Sequence, residues 1–400
     1  MNATEITTAI STVRSDGSSA DANHRERYFV ADQPIVKWGA WSFVALVVVY
    51  FVSTDGSAIR YLVYLCPALL LVEAVLRKAH FTWGPTLALL SFLGFAAATL
   101  LGGAPSSFFA RDLVTVVLII APFLAKYDVD SRVAPALFVS AAICGIDAFQ
   151  KGGGQLGDLG ISLGQSRAAL ETTFGLLTPI LVLYFYHRKR HSLALVSAIL
   201  SILMFKRIAI LAMAISFAFS VIYSWSKGRS TRSLVTTALA VSVTAICIGS
   251  VFINSIYEFI HPYYVELTGE YSSINSFTSG RYEIYNYLWK SQLDYQNLGQ
   301  WIFGNGLGAT ADMMNESAVA SFAHVSLLHN DWLRILIDYG AIGLVIVLAA
   351  ILSISRRSPF ASGAVLYTAI LFATDNVSMY VFYWTLLFIL LASSSPREQT

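Results

Sequence analysis

The chain has 400 residues, of which 56% are hydrophobic and only 12% are charged. Soluble domains carry about 25% charged residues, so this composition excludes an ordinary soluble protein. The formal net charge of +2 gives no reason to expect a nucleic-acid partner. The three cysteines show no CxxC spacing and indicate neither a zinc site nor a disulfide framework.

The chain begins with a polar segment, residues 1–34, that lacks the basic start and apolar stretch of a signal peptide. We expect a disordered cytoplasmic tail there, and a second short tail at 394–400. Between them, apolar runs of about the length that crosses a bilayer predict an all-α polytopic membrane protein with about twelve transmembrane helices. The predicted spans are 36–53, 61–76, 82–101, 113–125, 132–149, 168–186, 192–205, 208–225, 234–256, 331–353, 361–374 and 377–393.

The basic residues predict the sidedness of these spans. Alternate connections carry most of the loop Lys and Arg: 77–80, 126–132, 187–191, 226–233 and 355–358. Because cytoplasmic loops carry an excess of Lys and Arg, both termini are expected in the cytoplasm. Spans one to nine then occupy 35–256, spans ten to twelve occupy 331–393, and the long loop 257–330 between them faces outward.

The opposite loops contain single arginines at loop–helix junctions. They are Arg60, Arg111, Arg167, Arg207 and Arg281. Any one of them can extend to the interface or pair with a nearby acid, as Arg167 and Glu171 would at i,i+4 spacing. As a set they predict a polyanion site, because guanidinium groups bind phosphate in a bidentate manner.

The loop 257–330 is polar but rich in aromatic residues. Ile284, Tyr285 and Leu288 fall on one face at helical spacing, which predicts an amphipathic helix over 280–297 lying along the membrane surface. The segment GNGLG at 304–308 lacks the Lys-Ser/Thr that follows a nucleotide P-loop. Its glycines instead predict a tight turn or a close approach to a ligand.

The tenth span begins with a polar stripe. It comprises His329, Asn330, Asp331, Arg334 and Asp338. A carboxylate this deep needs a partner, so we expect a structural ion pair between Arg334 and Asp338. His329 lies at the water-accessible surface, where an imidazole can accept a proton from a sugar hydroxyl, and His324 is a weaker candidate of the same type. Gly340 is expected to allow close helix packing.

Four segments together resemble a known family. They are KRIAILAMAISF (206–217), SGR (279–281), FGNGLG (303–308) and HNDWLRILIDYGAIG (329–343). This combination resembles the O-antigen polymerase and O-antigen ligase superfamily of bacterial envelope enzymes. The resemblance implies a GT-C-like helical fold in the bacterial inner membrane, with a large periplasmic helical loop between spans nine and ten. It also implies an active site that faces the periplasm.

The resemblance further implies a glycosyltransferase that inverts the anomeric centre without metal, nucleotide sugar or other cofactor. The donor would be a glycan on undecaprenyl pyrophosphate, with a lipid-linked glycan or lipid A core as acceptor. Membrane lipids, a flippase and a chain-length regulator are the other expected partners. His329 would be the base that activates the acceptor hydroxyl.

Several further residues are assigned a role, some by the resemblance and some by their position in the sequence. Arg207 and Arg281 would hold the pyrophosphate and stabilise its developing charge. To these we add Arg111 and Arg167 from their position in the outer loops. Supporting residues are Lys206, Asn330, Asp331, Arg334 and Asp338.

Two alternatives stay open beside polymerisation of lipid-linked repeat units. A ligase would transfer the finished glycan to lipid A core, and the motifs do not separate it from a polymerase. A transporter or flippase of similar span number would keep its charges near the bilayer midplane, on interrupted helices in two related halves. Such a protein would retain function after loss of His329 and of the loop 257–330.

Overall fold

The computed structural model of the protein describes most of the chain. The described residues are 34–53, 58–102, 105–151, 173–203, 206–226, 228–269, 272–278, 280–290, 297–315 and 328–393. Residues 1–33 and 394–400 of the expected tails lie outside them, as do Arg167 and His324.

Helices make up nearly all of the described secondary structure. Those before the long loop are α1 (Trp38–Val52), α2 (Cys66–Leu76), α3 (Trp83–Leu101), α4 (Phe109–Ile120), α5 (Val133–Lys151), α6 (Thr178–His187), α7 (His191–Leu203), α8 (Arg207–Trp225) and α9 (Arg229–Val251). Those in the loop are α10 (Ile253–Thr268), α11 (Ile274–Phe277), α12 (Arg281–Leu288), α13 (Leu298–Phe303) and α14 (Ala309–Asn315). The last are α15 (Asp331–Ser355), α16 (Pro359–Thr374) and α17 (Val381–Ser393). Short 3-10 helices lie at Ala58–Leu65, Ala121–Leu124, Thr173–Leu176 and Val377–Met379.

Each segment predicted to cross the membrane contains a helix. Four described helical stretches are long and apolar enough to do so by length and composition: Trp83–Leu101, Ile208–Trp225, Ser230–Val251 and Asp331–Ser355. The other apolar helices are shorter than a full crossing. The structure is therefore mainly helical, and several of its described helices are apolar enough to span a membrane.

Some of the loops that were predicted to share a side are in contact with each other. Two short sheets join one set: β1 (Ile35–Val36) pairs in parallel with β4 (Asp128–Val129), and β2 (His80–Phe81) pairs antiparallel with β3 (Ala125–Lys126). In the other set, the Ser106 hydroxyl donates to the Gly308 carbonyl at 2.9 Å.

The core is centred on α16 and α17, which are buried along most of their length. Gly363 of α16 packs so tightly on α8 that a Cβ there would lie 2.9 Å from the Cβ of Ser220. Polar contacts are made inside this core as well. The Tyr367 hydroxyl donates to the Leu176 carbonyl at 2.9 Å, and the Trp332 indole N–H donates to the Ala369 carbonyl at 3.1 Å. Both bonds satisfy groups that would be costly to bury alone.

The amphipathic helix expected over 280–297 is present as α12, which ends at Leu288. Its face of Ile284, Tyr285 and Leu288 is buried as the pattern indicates. The expected location on the membrane surface is wrong for this face, because it packs on protein, in a cluster that includes Met313 and Leu333. Residues 291–296 of the expected helix lie outside the described ranges.

Candidate functional site

The start of α15 is fixed by Asn330, which caps the helix. Its side-chain oxygen accepts from the Leu333 backbone N–H at 3.0 Å, as an N-cap residue should. Its amide group donates to the Ser250 carbonyl at 2.7 Å, which ties α15 to the end of α9. The Tyr285 hydroxyl donates to the carbonyl of His329 at 2.9 Å. The bonds of Asn330 and the bond to the His329 carbonyl together fix the position of the His329 backbone.

His329 faces a carboxylate that the sequence analysis did not select, Asp375. The Nδ1 atom of His329 lies 3.6 Å from Oδ1 of Asp375, and the Nζ atom of Lys206 lies 2.5 Å from Oδ2. Asp375 is buried, whereas the His329 side chain is 31% exposed. The carboxylate therefore sits between two basic groups, and one of them reaches solvent. We call His329, Lys206 and Asp375 the site triad, and the end of the molecule that holds it the site end.

The electrostatics of Asp375 follow from these neighbours. Burial raises the pKa of its carboxyl, but His329 and Lys206 lower it more strongly, so that the pKa falls to about 2. The Asn376 backbone N–H adds a bond to Oδ1 at 2.9 Å. Asp375 is thus held as a carboxylate that orients His329 through Nδ1, which leaves Nε2 as the nitrogen away from the carboxylate.

Arg281 lies four residues before Tyr285 in α12, and the Tyr285 hydroxyl donates to the His329 carbonyl. Burial and the neighbouring Tyr257 raise the pKa of the Tyr285 phenol, while the positive charge of Arg281 lowers it. The carboxylates of Asp375 and Asp331 raise the pKa of the same phenol. Arg281 therefore begins the helix that contacts the backbone of His329. Within the described residues, its guanidinium forms no ion pair.

The other predicted arginines are placed less completely. Arg207 begins α8 directly after Lys206, so its backbone adjoins the triad, but its side chain is outside the described part. Arg111 stacks over Phe108, with its Cζ 4.4 Å from the ring centroid, and its Nε donates to Asp112 at 2.8 Å. It also lines a small cavity with Asn376, the neighbour of Asp375.

Beneath the triad lies a buried polar network that braces α15. The expected contact of Arg334 with Asp338 is present, with Nε 3.3 Å from Oδ2. The shorter contact of Arg334 runs to Asp112, with Nη2 2.6 Å from Oδ2. The other oxygen of Asp338 accepts from the Thr310 backbone N–H at 2.8 Å and from its hydroxyl at 2.7 Å. Asp331, in turn, accepts from the backbone N–H of Ser378 at 2.7 Å.

The glycine-rich segment packs on the backbone of α15, not on a ligand cavity as was one expectation. Gly340 has φ 67° and ψ −169°, which interrupts the helix and frees two carbonyls. The Asn305 N–H donates to the carbonyl of Ile337 at 2.8 Å, and the Gly306 N–H to that of Asp338 at 3.0 Å. A Cβ on Gly304 would lie 2.4 Å from the Asp338 carbonyl oxygen. Gly340 therefore allows a close approach of α15 to Ile302 of α13 and to Gly304, as the expected role in close helix packing requires.

Two functional candidates, Asp375 and Asp112, were missed by sequence reasoning. Each had a signal, since each is a carboxylate at the border of an apolar segment, where an acid is costly unless it is partnered. Their partners, however, are far along the chain, and Asp112 and Arg334 are 222 positions apart. Spacing within one helix cannot reveal such a pair.

Among the described residues, no group of three or more His, Cys, Asp or Glu side chains is arranged to hold a metal ion. The groups that the structure places at the site end are an imidazole, a carboxylate and a lysine ammonium. A comparison with known protein families finds no family model that matches the chain, and a comparison with curated proteins finds no matching relative.

Proposed function

We propose that this protein is a glycosyltransferase that polymerises oligosaccharide repeat units carried on undecaprenyl pyrophosphate. The single observation that carries the proposal is the site triad: a partly exposed imidazole whose Nδ1 faces a buried carboxylate, with the Lys206 ammonium on the same carboxylate. The proposal includes about twelve spans, with the triad at the periplasmic face of the bacterial inner membrane, as the basic loops predict.

In the proposed reaction, the hydroxyl of an acceptor glycan attacks the anomeric carbon of the donor. The new glycosidic C–O bond forms as the bond from that carbon to the pyrophosphate oxygen breaks. Nε2 of His329 accepts the hydroxyl proton, and Asp375 stabilises the resulting imidazolium. The pyrophosphate leaves on its polyprenyl chain, so no nucleotide is needed outside the cytoplasm.

The leaving group takes up negative charge, and cations stabilise it. Arg281 is suited to this, because it has no carboxylate partner within the described residues. The Lys206 ammonium also lies at the triad, where it is paired with the Asp375 carboxylate. Arg207, Arg111 and Arg167 remain part of the proposal as further phosphate ligands. Arg334 and Asp338 are proposed to brace the helix and not to touch substrate.

The test uses the purified full chain in lipid with an undecaprenyl-pyrophosphate-linked repeat unit. We expect a ladder of longer lipid-linked glycans without any lipid A core, and a loss of about 100-fold or more in rate for His329→Ala. The matched control is His261→Ala. This residue is a histidine of the same loop, and its Nε2 contacts the Ser272 carbonyl at 2.8 Å.

Each contrary outcome has a distinct meaning. Transfer that occurs only when lipid A core is present would replace the polymerase with a ligase. Full activity of His329→Ala would remove the proposed base. Absence of any product from the wild type, with transport of the lipid-linked repeat across vesicles, would replace the enzyme with a transporter.

A further inference from the structure

A cavity lies along α15, and the proposed reaction does not use it. Its volume is about 460 Å³. It is bounded mainly by α3, α4 and α15, with a few residues of α16, α17 and the 3-10 helix between them. Phe92 of α3 and Tyr339 of α15 both line it, with ring centroids 5.1 Å apart.

The wall of the cavity is formed mainly by carbon. Leu87, Ala88, Ile346 and Ala350 are typical of it. The lining from Ile346 to Arg357 spans about 16 Å along the helix, which is close to half of the roughly 30 Å hydrocarbon core of a bilayer. The cavity continues past Tyr339 to Arg334, and its part between Ile346 and Arg357 has the polarity and the depth of one acyl chain within one leaflet.

Two arginines line the cavity, and they differ in whether their charge is neutralised. Arg334 is at the site end and is paired with two carboxylates, Asp112 and Asp338. Arg357 is at the opposite end, directly after the C-terminus of α15, and is exposed. It forms no ion pair with any residue in the described ranges. Only Arg357 is left to bind an anion at the mouth of the cavity.

From these observations we propose that the cavity binds one anionic phospholipid of the cytoplasmic leaflet, with an acyl chain inside it and the phosphate on Arg357. Basic pockets between membrane helices on the cytoplasmic side bind anionic headgroups. A chain buried in the cavity adds about 0.8 kcal/mol for each CH₂ group removed from water. The site depends on the sidedness predicted from the basic loops, and it does not depend on the proposed activity.

The experiment measures lipid retained by the purified full chain, by native mass spectrometry, after exposure to phosphatidylglycerol or to phosphatidylethanolamine with the same acyl chains. We expect the wild type to retain phosphatidylglycerol preferentially. Arg357→Gln should lower that retention about tenfold, the effect of one charge-assisted hydrogen bond. Arg356→Gln is the matched control, because Arg356 is equally exposed but does not line the cavity.

A second pair of variants tests whether the cavity holds an acyl chain. Ala350→Phe fills the cavity from its wall and should reduce retention of both phospholipids, whereas Ala341→Phe, at an exposed position of the same helix outside the lining, should not. A thermal unfolding scan of each variant verifies that it is folded. Equal retention of the two phospholipids, or equal losses in Arg357→Gln and Arg356→Gln, would overturn the proposal. So would displacement of phosphatidylglycerol by undecaprenyl phosphate, which would assign the cavity to a polyprenyl chain.

Discussion

The two halves of α15, on either side of Gly340, differ in polarity and in surroundings. The first half contains Asp331, Arg334 and Asp338, and every residue from Asp331 to Gly340 is buried. The second half is apolar, yet Ile342 and Val345 are 39% and 64% exposed. In a soluble protein the polar half would face outward. In a membrane the relation is reversed, because lipid cannot satisfy polar groups and protein must do so.

This difference explains why the site triad is at the polar end. Asn330 caps α15 beside His329, and two turns of helix below it are locked by ion pairs to other segments. A catalytic group performs best when the residues around it are themselves held by packing and hydrogen bonds. The apolar half has no such partners and is free to border lipid, including the cavity at Arg357.

The largest expected effect comes from removing the cation at the centre of the polar half. Arg334→Ala removes the buried cation that Asp112 and Asp338 share, leaving Asp112 with Arg111 and Asp338 with the Thr310 donors, and we expect a loss of about 3–5 kcal/mol in the free energy of unfolding. Denaturant unfolding of the purified protein in detergent measures it. Arg356→Ala, an exposed arginine that ends the apolar half, is the control and should change stability by less than about 0.5 kcal/mol. Equal losses in both would show that the halves do not differ as described.

The contrast also shows how far the sequence alone could predict this molecule. Apolar runs predicted the helices, and i,i+4 spacing predicted the contact of Arg334 with Asp338, because both signals are local. The closer partner of Arg334, Asp112, is on another helix and could not be read from spacing. The same holds for Asp375, which joins His329 and Lys206 only when three segments meet at the site end. Local patterns predict elements, whereas tertiary packing decides which charges meet.

The next prediction concerns Gly340, where the two halves of α15 meet. At φ 67° and ψ −169°, Gly340 occupies a backbone region that costs other residues about 1–3 kcal/mol. A Cβ there would also lie 2.4 Å from the Ile302 carbonyl oxygen, which adds overpacking. We expect Gly340→Ala to lower the free energy of unfolding by about 3 kcal/mol.

The control for this substitution is expected to change the stability in the opposite direction. Gly94 lies within α3, and a Cβ there would meet nothing within 4 Å. Gly94→Ala should therefore raise stability by about 0.5–1 kcal/mol, because alanine loses less backbone freedom in a helix than glycine. Both variants can be compared by thermal unfolding in the same detergent. If Gly340→Ala raised the stability, α15 would be one continuous helix without a break at Gly340.

The smallest expected effect concerns the triad and depends on pH. The folded pKa of Asp375 is about 2, below the ordinary value of 3.8, so the folded state favours the carboxylate. Its contribution to stability, about 2 kcal/mol, is fully present above pH 4 and is lost as the pH falls toward 2. Asp375→Asn should therefore be less stable than the wild type at pH 7, and the difference should shrink between pH 4 and pH 3. Thermal unfolding across this range measures it, with Glu266→Gln, at an exposed position of α10, as the control. A difference that stays constant with pH would mean that the folded state does not favour the ionised form of Asp375, and that the site triad is not held by its charge.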